Sequence, residues 1–245
     1  MCIRDSPRGN ISTGNWIYKS VDSGENWDFI GLPKAGLIGK IEIHPKNSDI
    51  VYVAVLGNIF GSNKERGIYK TIDGGKNWTE VATASTRIQQ VIAAPSDFNI
   101  QYAAVRGVGV LRSVDRGSTW TNPGGINLSG TIDYDSEDGI LAGGGSGAFG
   151  RLELAVSYQD PYTIYASIDG DAASYLKVSY DGGVTWNLVK NEDGSNDDWL
   201  IAQGWFDNTI TVNPFNDSIV YYAGRDASKA TVSVSYTHLT LPTKA

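Results

Sequence analysis

Four eight-residue words mark this chain at intervals: SVDSGENW (20–27), TIDGGKNW (71–78), SVDRGSTW (113–120) and SYDGGVTW (179–186). Repetition of this kind constrains a fold more than composition does, because each copy must belong to one unit of a stacked or radial array. A second phrase alternates with the first, as IEIHPKNSDIVYVAV (41–55), VIAAPSDFNIQYAAV (91–105), LAVSYQDPYTIYASI (154–168) and ITVNPFNDSIVYYAG (210–224). Each phrase is a short apolar strand, a turn rich in Pro, Asn and Asp, and a second strand rich in β-branched residues and tyrosine. A third strand (GIYKTI, VGVLRSV or YLKVSY) leads into the word, and a fourth (WTEVA or WNLVK) leaves it.

The unit is therefore strand a, turn, strand b, loop, strand c, tight turn, strand d. Four antiparallel strands repeating at this length predict an all-β chain folded as a β-propeller of four-stranded blades. About four to five blades are present: strands c–d of a first (15–31), full blades at 37–82, 87–122 and 149–190, and part of a last at 207–232. The third strand of that last blade is expected near Ala230. Propellers close with roughly four to eight blades, so the partial units read as a fragment of a larger propeller. Residues 1–6 (MCIRDS) and 233–245 back-translate to a sequencing-adapter end and its reverse complement, and are expected to be read-through. The partial propeller at 7–232 then keeps one histidine, His44, and no cysteine, since Met1, Cys2 and His238 fall in the set-aside ends.

Composition narrows the partners. The formal charge of −7 and the lack of a basic stripe argue against nucleic acid. No run of eighteen apolar residues predicts a membrane span. Without cysteine in 7–232, disulfide frameworks, thiolate metal sites and cysteine nucleophiles are excluded there.

The word itself suits a tight c–d hairpin. Asp and Ser/Thr side chains accept hydrogen bonds from backbone N–H groups at a turn, glycine permits positive φ, and tryptophan offers a large apolar body. The word also resembles the Asp box, S-x-D-x-G-x-T-W, of bacterial neuraminidase-repeat (BNR) proteins, with Asn26 and Asn77 standing where Thr is usual. The resemblance implies a structural role, away from any ligand, for Ser20, Asp22, Gly24 and Trp27, and for Thr71, Asp73, Gly75 and Trp78. It implies the same for Ser113, Asp115, Gly117 and Trp120, and for Ser179, Asp181, Gly183 and Trp186. The stretches GNIFGSNKERGIYKTIDGGKNW and QGWFDNTITVNPFNDSIVYYAG are similar to sortilin-type and glycosyl-hydrolase-type BNR propellers of bacteria, which implies a secreted, cell-surface or periplasmic location.

Strand order places the c–d and a–b turns on one face and the b–c and d–a loops on the other. The long loops all belong to the second class: 56–67, 122–150, 168–175 and 190–207. Phe60, Trp199, Trp205 and Phe206 can stack on sugar rings or anchor a protein, with Glu65, Arg66 and Gln203 as polar neighbours; the same aromatics equally suit packing between blades. Asp135, Glu137, Asp138, Asp171, Asp197, Asp198 and Asp207 are the loop acids, read one by one as solvated carboxylates. A glycosidase would need two of them roughly 5–9.5 Å apart. DYDSEDG (133–139) hints at calcium, but its glycine is late for an EF-hand and no glutamate closes the loop, so no cofactor is expected. GGGSGAFG (143–150) lacks the phosphate-loop pattern, and His44 reads as a turn residue.

The expected function is a secreted, non-catalytic interaction propeller that binds a protein or a glycan through the loop face. The alternative is a glycoside hydrolase, either xyloglucanase-like with two acids or sialidase-like with clustered arginines. Arg66, Arg87, Arg106 and Arg151 are available for the latter, though none stands in the R-I-P context of sialidases. A photosystem-type assembly factor is a third reading.

Overall fold

The computed structural model describes residues 17–57, 64–83, 87–106, 108–123, 138–139, 151–170, 174–189, 198–201, 204, 207–225 and 227–231. Among these there is no helix; every regular element is a strand in an antiparallel sheet. The first sheet pairs β1 (Tyr18–Lys19) with β2 (Asp28–Phe29). The second is a four-stranded meander of β3 (Leu37–Ile43), β4 (Val51–Gly57), β5 (Gly67–Thr71) and β6 (Thr79–Thr83). The third holds β7 (Ile88–Ala93), β8 (Gln101–Val105) and β9 (Gly109–Ser113), with its fourth strand reduced to a single bridge from Arg112 to Thr121.

The fourth sheet orders β10 (Asp138–Gly139), β14 (Trp186–Leu188), β13 (Ser174–Ser179), β12 (Ile164–Asp169) and β11 (Leu152–Val156). Asp138, read from sequence as a loop acid, thus lies in a short strand added to the outer edge of this blade. The fifth sheet is β15 (Thr209–Asn213), β16 (Asn216–Ala223) and β17 (Ala227–Thr231); its third strand starts three residues ahead of the expected Ala230.

The sheets are stacked face to face. The first strands of successive sheets, β3, β7, β11 and β15, pack against one another in series and form the inner ring. Strand b of each middle blade is pressed from both sides, so β4 and β8 are buried along their whole length. That is why VYVAVLG and QYAAV read as continuous apolar runs instead of alternating ones. Buried alanines (Ala54, Ala103, Ala104, Ala166) keep the stack tight.

The free inner edge of β11 is capped by side chains. Gln90 of β7 donates from Nε2 to the Leu154 carbonyl (3.0 Å) and accepts the Leu154 N–H at Oε1 (2.6 Å), as a neighbouring strand would. Gln89 accepts the Leu152 N–H at 3.0 Å. Edge groups that are buried must find partners, and two adjacent glutamines supply them.

Each repeated word closes a c–d hairpin by hydrogen bonding within itself. Asp115 accepts from the Ser118 and Thr119 N–H groups at 3.0 and 2.8 Å and from the Thr119 hydroxyl at 2.6 Å. Ser113 accepts the buried Gly117 N–H at 2.8 Å and donates to Asp115. In the words with Asn26 and Asn77, the side-chain amide reaches the same carboxylate at 2.6 and 2.7 Å, so Asn replaces the Thr hydroxyl with little change. Trp27, Trp120 and Trp186 return their indole N–H to the carbonyls of Gly24, Gly117 and Gly183. Trp78 instead reaches the Ile30 carbonyl of the preceding blade at 2.6 Å.

These turns also join the blades. The b-strand tyrosines donate into the turn end of the next blade: Tyr52 to the Arg116 carbonyl (2.5 Å), Tyr102 to that of Pro161 (2.8 Å) and Tyr165 to that of Asp217 at the start of β16 (2.7 Å). Cations one residue before the Ser/Thr of the word add to the seam: Lys70 Nζ donates to the Arg116 carbonyl, and Arg112 to the carbonyls of Asp181 and Gly182. Tyr221 holds the same place in the fifth blade and is 43 % exposed. Among the described residues no following turn exists for it to meet.

Candidate ligand face

Hydrogen bonds between turns fix the two faces. The Gly74, Arg116 and Gly182 N–H groups of the c–d turns donate to Asp49, Asn99 and Tyr162 in the a–b turns of the same blades. Both turn classes therefore share one end of each blade, and the b–c and d–a loops emerge at the other.

Around blades 4 and 5 the loop end is built from buried polar groups. Arg151 opens β11, and its Nε and Nη2 hold Glu153 Oε1 at 2.8 and 2.6 Å. Two residues apart on a strand, both side chains point to one side, which lets them close a buried ion pair. Asn208 donates to the Arg151 and Ser167 carbonyls at 3.3 and 3.0 Å and accepts the Ser167 hydroxyl at 2.6 Å. A buried pair of this kind adds little net stability, because the desolvation of both charges offsets their attraction.

The sequence candidates separate on this frame. Trp199 is 3 % exposed, packs edge-on against Tyr222, and donates its indole N–H to Ser167 Oγ at 3.3 Å. It is therefore placed in the core with Leu176 and Leu200, and has no face to offer a sugar. Asp198 lies exposed, but its Oδ1 accepts from the Ser174 N–H, the Ser174 hydroxyl and the Ile201 N–H, which pins the 198–201 turn onto β13. Asp207 is half-buried one residue before Asn208. Arg66 is half-buried and donates from Nε to the Leu56 carbonyl at 3.1 Å, while Glu65 beside it raises the Tyr69 phenol together with Glu80, behind burial as the main cause.

Phe60, Asp135, Glu137, Asp171, Asp197, Gln203, Trp205 and Phe206 lie outside the described residues, as does all but 138–139 of the 133–139 stretch considered for calcium. Among the described residues, no group of three His, Cys, Asp or Glu side chains gathers to hold a metal ion. The word residues lie at the opposite end of the blades. There, Asp22 and Asp73 are held at about 2, chiefly by the backbone N–H and side-chain amide of Asn26 and Asn77. Asp115 is held at about 2 by the Thr119 hydroxyl and N–H. Such carboxylates are committed acceptors, poorly suited to donate a proton.

Sequence reasoning missed Glu153, Ser167, Asn208, Gln89 and Gln90, all on strands or next to them. An Arg-x-Glu step at a strand start was the one available signal for the ion pair. It also missed Glu42, whose carboxyl is pushed up by burial, partly offset by the Ala93 N–H and by Lys40. Glu42 sits near the turn end of β3, away from the loop face.

The solved structure of an ancestral GH74 enzyme superposes with a TM-score of 0.61 over 92 % of this chain and 27 % of that one, at 18 % identity. The fold is a β-propeller. No family model matches the propeller chain. It is 28 % identical over 217 residues to a xyloglucanase of Paenibacillus sp, covering 75 % of this chain and 20 % of that protein. It is 30 % identical over 167 residues to a xyloglucanase of Hypocrea jecorina (strain QM6a), covering 64 % of this chain and 18 % of that protein. The propeller segment thus spans about a fifth of the length of these curated relatives.

Proposed function

We propose that this chain is part of a secreted, polysaccharide-acting propeller, and that its loop face contacts a neutral β-glucan of the xyloglucan type. The observation that carries the reading is the similarity to two xyloglucanases over most of the chain. The loop end of blades 4 and 5 supports a binding role for this stretch over a catalytic one. Two of the described carboxylates there are engaged: Glu153 by Arg151, and Asp198 by three donors at the 198–201 turn. Neither is placed to give or take a proton at a glycosidic bond, which needs one acid and one base on opposite sides of it. The turn chemistry of the four words supports placing the propeller in the Asp-box class.

Affinity electrophoresis of the full chain through gels containing xyloglucan or mannan tests this, together with assay for new reducing ends. Retardation by xyloglucan alone, without new reducing ends, is the expected result. Release of reducing ends would place a working acid pair within this chain and reinstate hydrolysis here. Equal mobility in both gels would remove the polysaccharide reading and leave the protein-binding propeller expected from the sortilin-type resemblance.

A further inference from the structure

Each seam between blades has a giving side and a receiving side. The giving side is the strand-b tyrosine together with the residue opposite it in the ladder. Tyr52 pairs with Lys70 and Tyr102 with Arg112, and both cations donate to carbonyls of the next word. In blade 4 Val178 stands opposite Tyr165, and the tyrosine alone reaches across. The receiving side is the fourth residue of the word and the glycine after it. Arg116, left-handed at φ 59°, accepts both Tyr52 and Lys70 at its carbonyl. A Cβ on Gly117 would fall 2.7 Å from the Tyr52 ring, and one on Gly182 would fall 3.2 Å from the Tyr102 hydroxyl. A Cβ on Gly75 would likewise meet Ile30 of blade 1 at 2.7 Å, and one on Gly183 would meet Pro123, just after blade 3, at 3.2 Å. The preceding blade comes this close only because a glycine is there.

The two sides recur unmatched in the first and fifth blades. In blade 5, Tyr221 holds the place of Tyr52, pairs in the ladder with Lys229, and is exposed. Its hydroxyl makes no hydrogen bond among the described residues. In blade 1, Ser23, left-handed at φ 60°, holds the place of Arg116 and is exposed. Its carbonyl accepts no hydrogen bond among the described residues. A Cβ on Gly24 would meet only the Trp27 ring of its own word, at 3.7 Å. Ser20 and Gly24 are accordingly half-buried, whereas Thr71, Ser113 and Ser179, with Gly75, Gly117 and Gly183, are buried. This first word, SVDSGENW, carries two acids and no base, and Lys19 just ahead of it is turned to Asp49 of blade 2 at 3.8 Å. A surface shaped to receive a tyrosine and a cation is thus open on blade 1, and a tyrosine with a lysine opposite it is open on blade 5.

We propose that copies of this chain associate head to tail, the fifth blade of one seating on the first word of a second, with Tyr221 over Gly24 and its hydroxyl on the Ser23 carbonyl. The contact continues the series of seams already present within the chain. Its two patches differ, so it is heterologous and leaves one free patch at each end of a pair. A single blade face is a small interface, so association is expected at about 10–100 µM. It forms between folded chains and adds nothing to the stability of a dilute one. Sedimentation velocity of the full chain from about 1 to 300 µM tests this. The weight-average mass should climb with concentration past that of two chains. Tyr221→Asp should raise the concentration needed tenfold or more, and Tyr221→Phe, which loses only the hydroxyl, about threefold to tenfold. Gly24→Val, which fills the open space, should act as Tyr221→Asp does. Val114→Ser, which removes an exposed apolar side chain from the third word, should leave association within twofold. The deciding mixture joins the Tyr221→Asp and Gly24→Val chains, each of which keeps one working patch. Mixing should restore pairs and nothing larger. If Gly24→Val does not fold, an excess of Tyr221→Asp added to the parent serves instead: it receives a copy but cannot pass the contact on, so growth should stop at pairs. A mass of one chain at every concentration, Tyr221→Asp associating as the parent does, Val114→Ser weakening association equally, or blocked chains that fail to pair would each overturn the proposal. None of these results bears on retention by xyloglucan.

Discussion

Gln90 provides a sharp test of how the inner ring is held. Its amide makes two short hydrogen bonds to one residue, donating to the Leu154 carbonyl and accepting the Leu154 N–H, and both partners are buried. Gln90→Leu keeps nearly the same shape but strands both backbone groups on the free edge of β11. Each stranded group costs about 1–3 kcal/mol, and a leucine there recovers little of it, so the expected loss is about 2–5 kcal/mol. In urea, with a slope of about 2–3 kcal/mol/M, the unfolding midpoint should drop by about 1–2 M at unchanged slope. Gln89→Leu strands one backbone group of β11, the Leu152 N–H, where Gln90→Leu strands two, and should lose roughly half as much from that edge. The Gln90→Glu variant separates hydrogen bonding from shape. Its carboxylate accepts the Leu154 N–H but faces the Leu154 carbonyl unless protonated, so its folded pKa is raised above the unfolded value. Its relative stability is then fully present below about pH 4 and lost as pH rises through that folded pKa. A Gln90→Leu midpoint within about 0.3 M of the parent, or a Gln90→Glu deficit independent of pH, would refute the idea that this side chain substitutes for a strand.

Three further outcomes follow from the same geometry. Tyr102→Phe removes a seam hydrogen bond to Pro161 and should cost about 1–2 kcal/mol in chemical denaturation, whereas Tyr221→Phe, exposed in the fifth blade, should stay within about 0.5 kcal/mol of the parent. The word aspartates Asp22, Asp73 and Asp115, held at about 2, stabilise the fold above their ordinary carboxylate value. The melting temperature should therefore be flat from about pH 7 to 5 and fall as pH drops from about 4 toward 2, and carbon-detected NMR titration should find these three carboxyls ionised at pH 3. Gly39→Ala would drive a Cβ into the Gln89 carbonyl where β3 passes β7; the expected loss is about 3 kcal/mol, read by thermal melting, and tolerance of alanine would mean the inner strands are not so closely packed.

The repeat period made the unit legible because a propeller blade is a local object: its turns are written by Asp, Ser and Gly at fixed offsets, and its strands by β-branched runs. The words at 20–27, 71–78, 113–120 and 179–186 each fold on themselves, which is why eight residues suffice to recognise them. The division into a turn face and a loop face was equally readable, since strand order alone dictates it. Individual side chains on the loop face were less so. Trp199 carries the same residue type whether it stacks on a ligand or on Tyr222, and only the neighbouring sheet decides between them.

What the sequence determined by itself is therefore the all-β unit, its turns, and the end of the blade on which long loops emerge. What tertiary structure decided is every relation between blades: Gln90 capping a strand sixty-four residues away, Tyr102 reaching Pro161, and Asn208 of the fifth blade binding the Arg151 and Ser167 carbonyls of the fourth. Those relations depend on which blade lies beside which and at what register. A hydrogen bond or a charge pair acts over a few ångströms of space, whatever the separation along the chain, and spacing in sequence sets that distance only inside a hairpin.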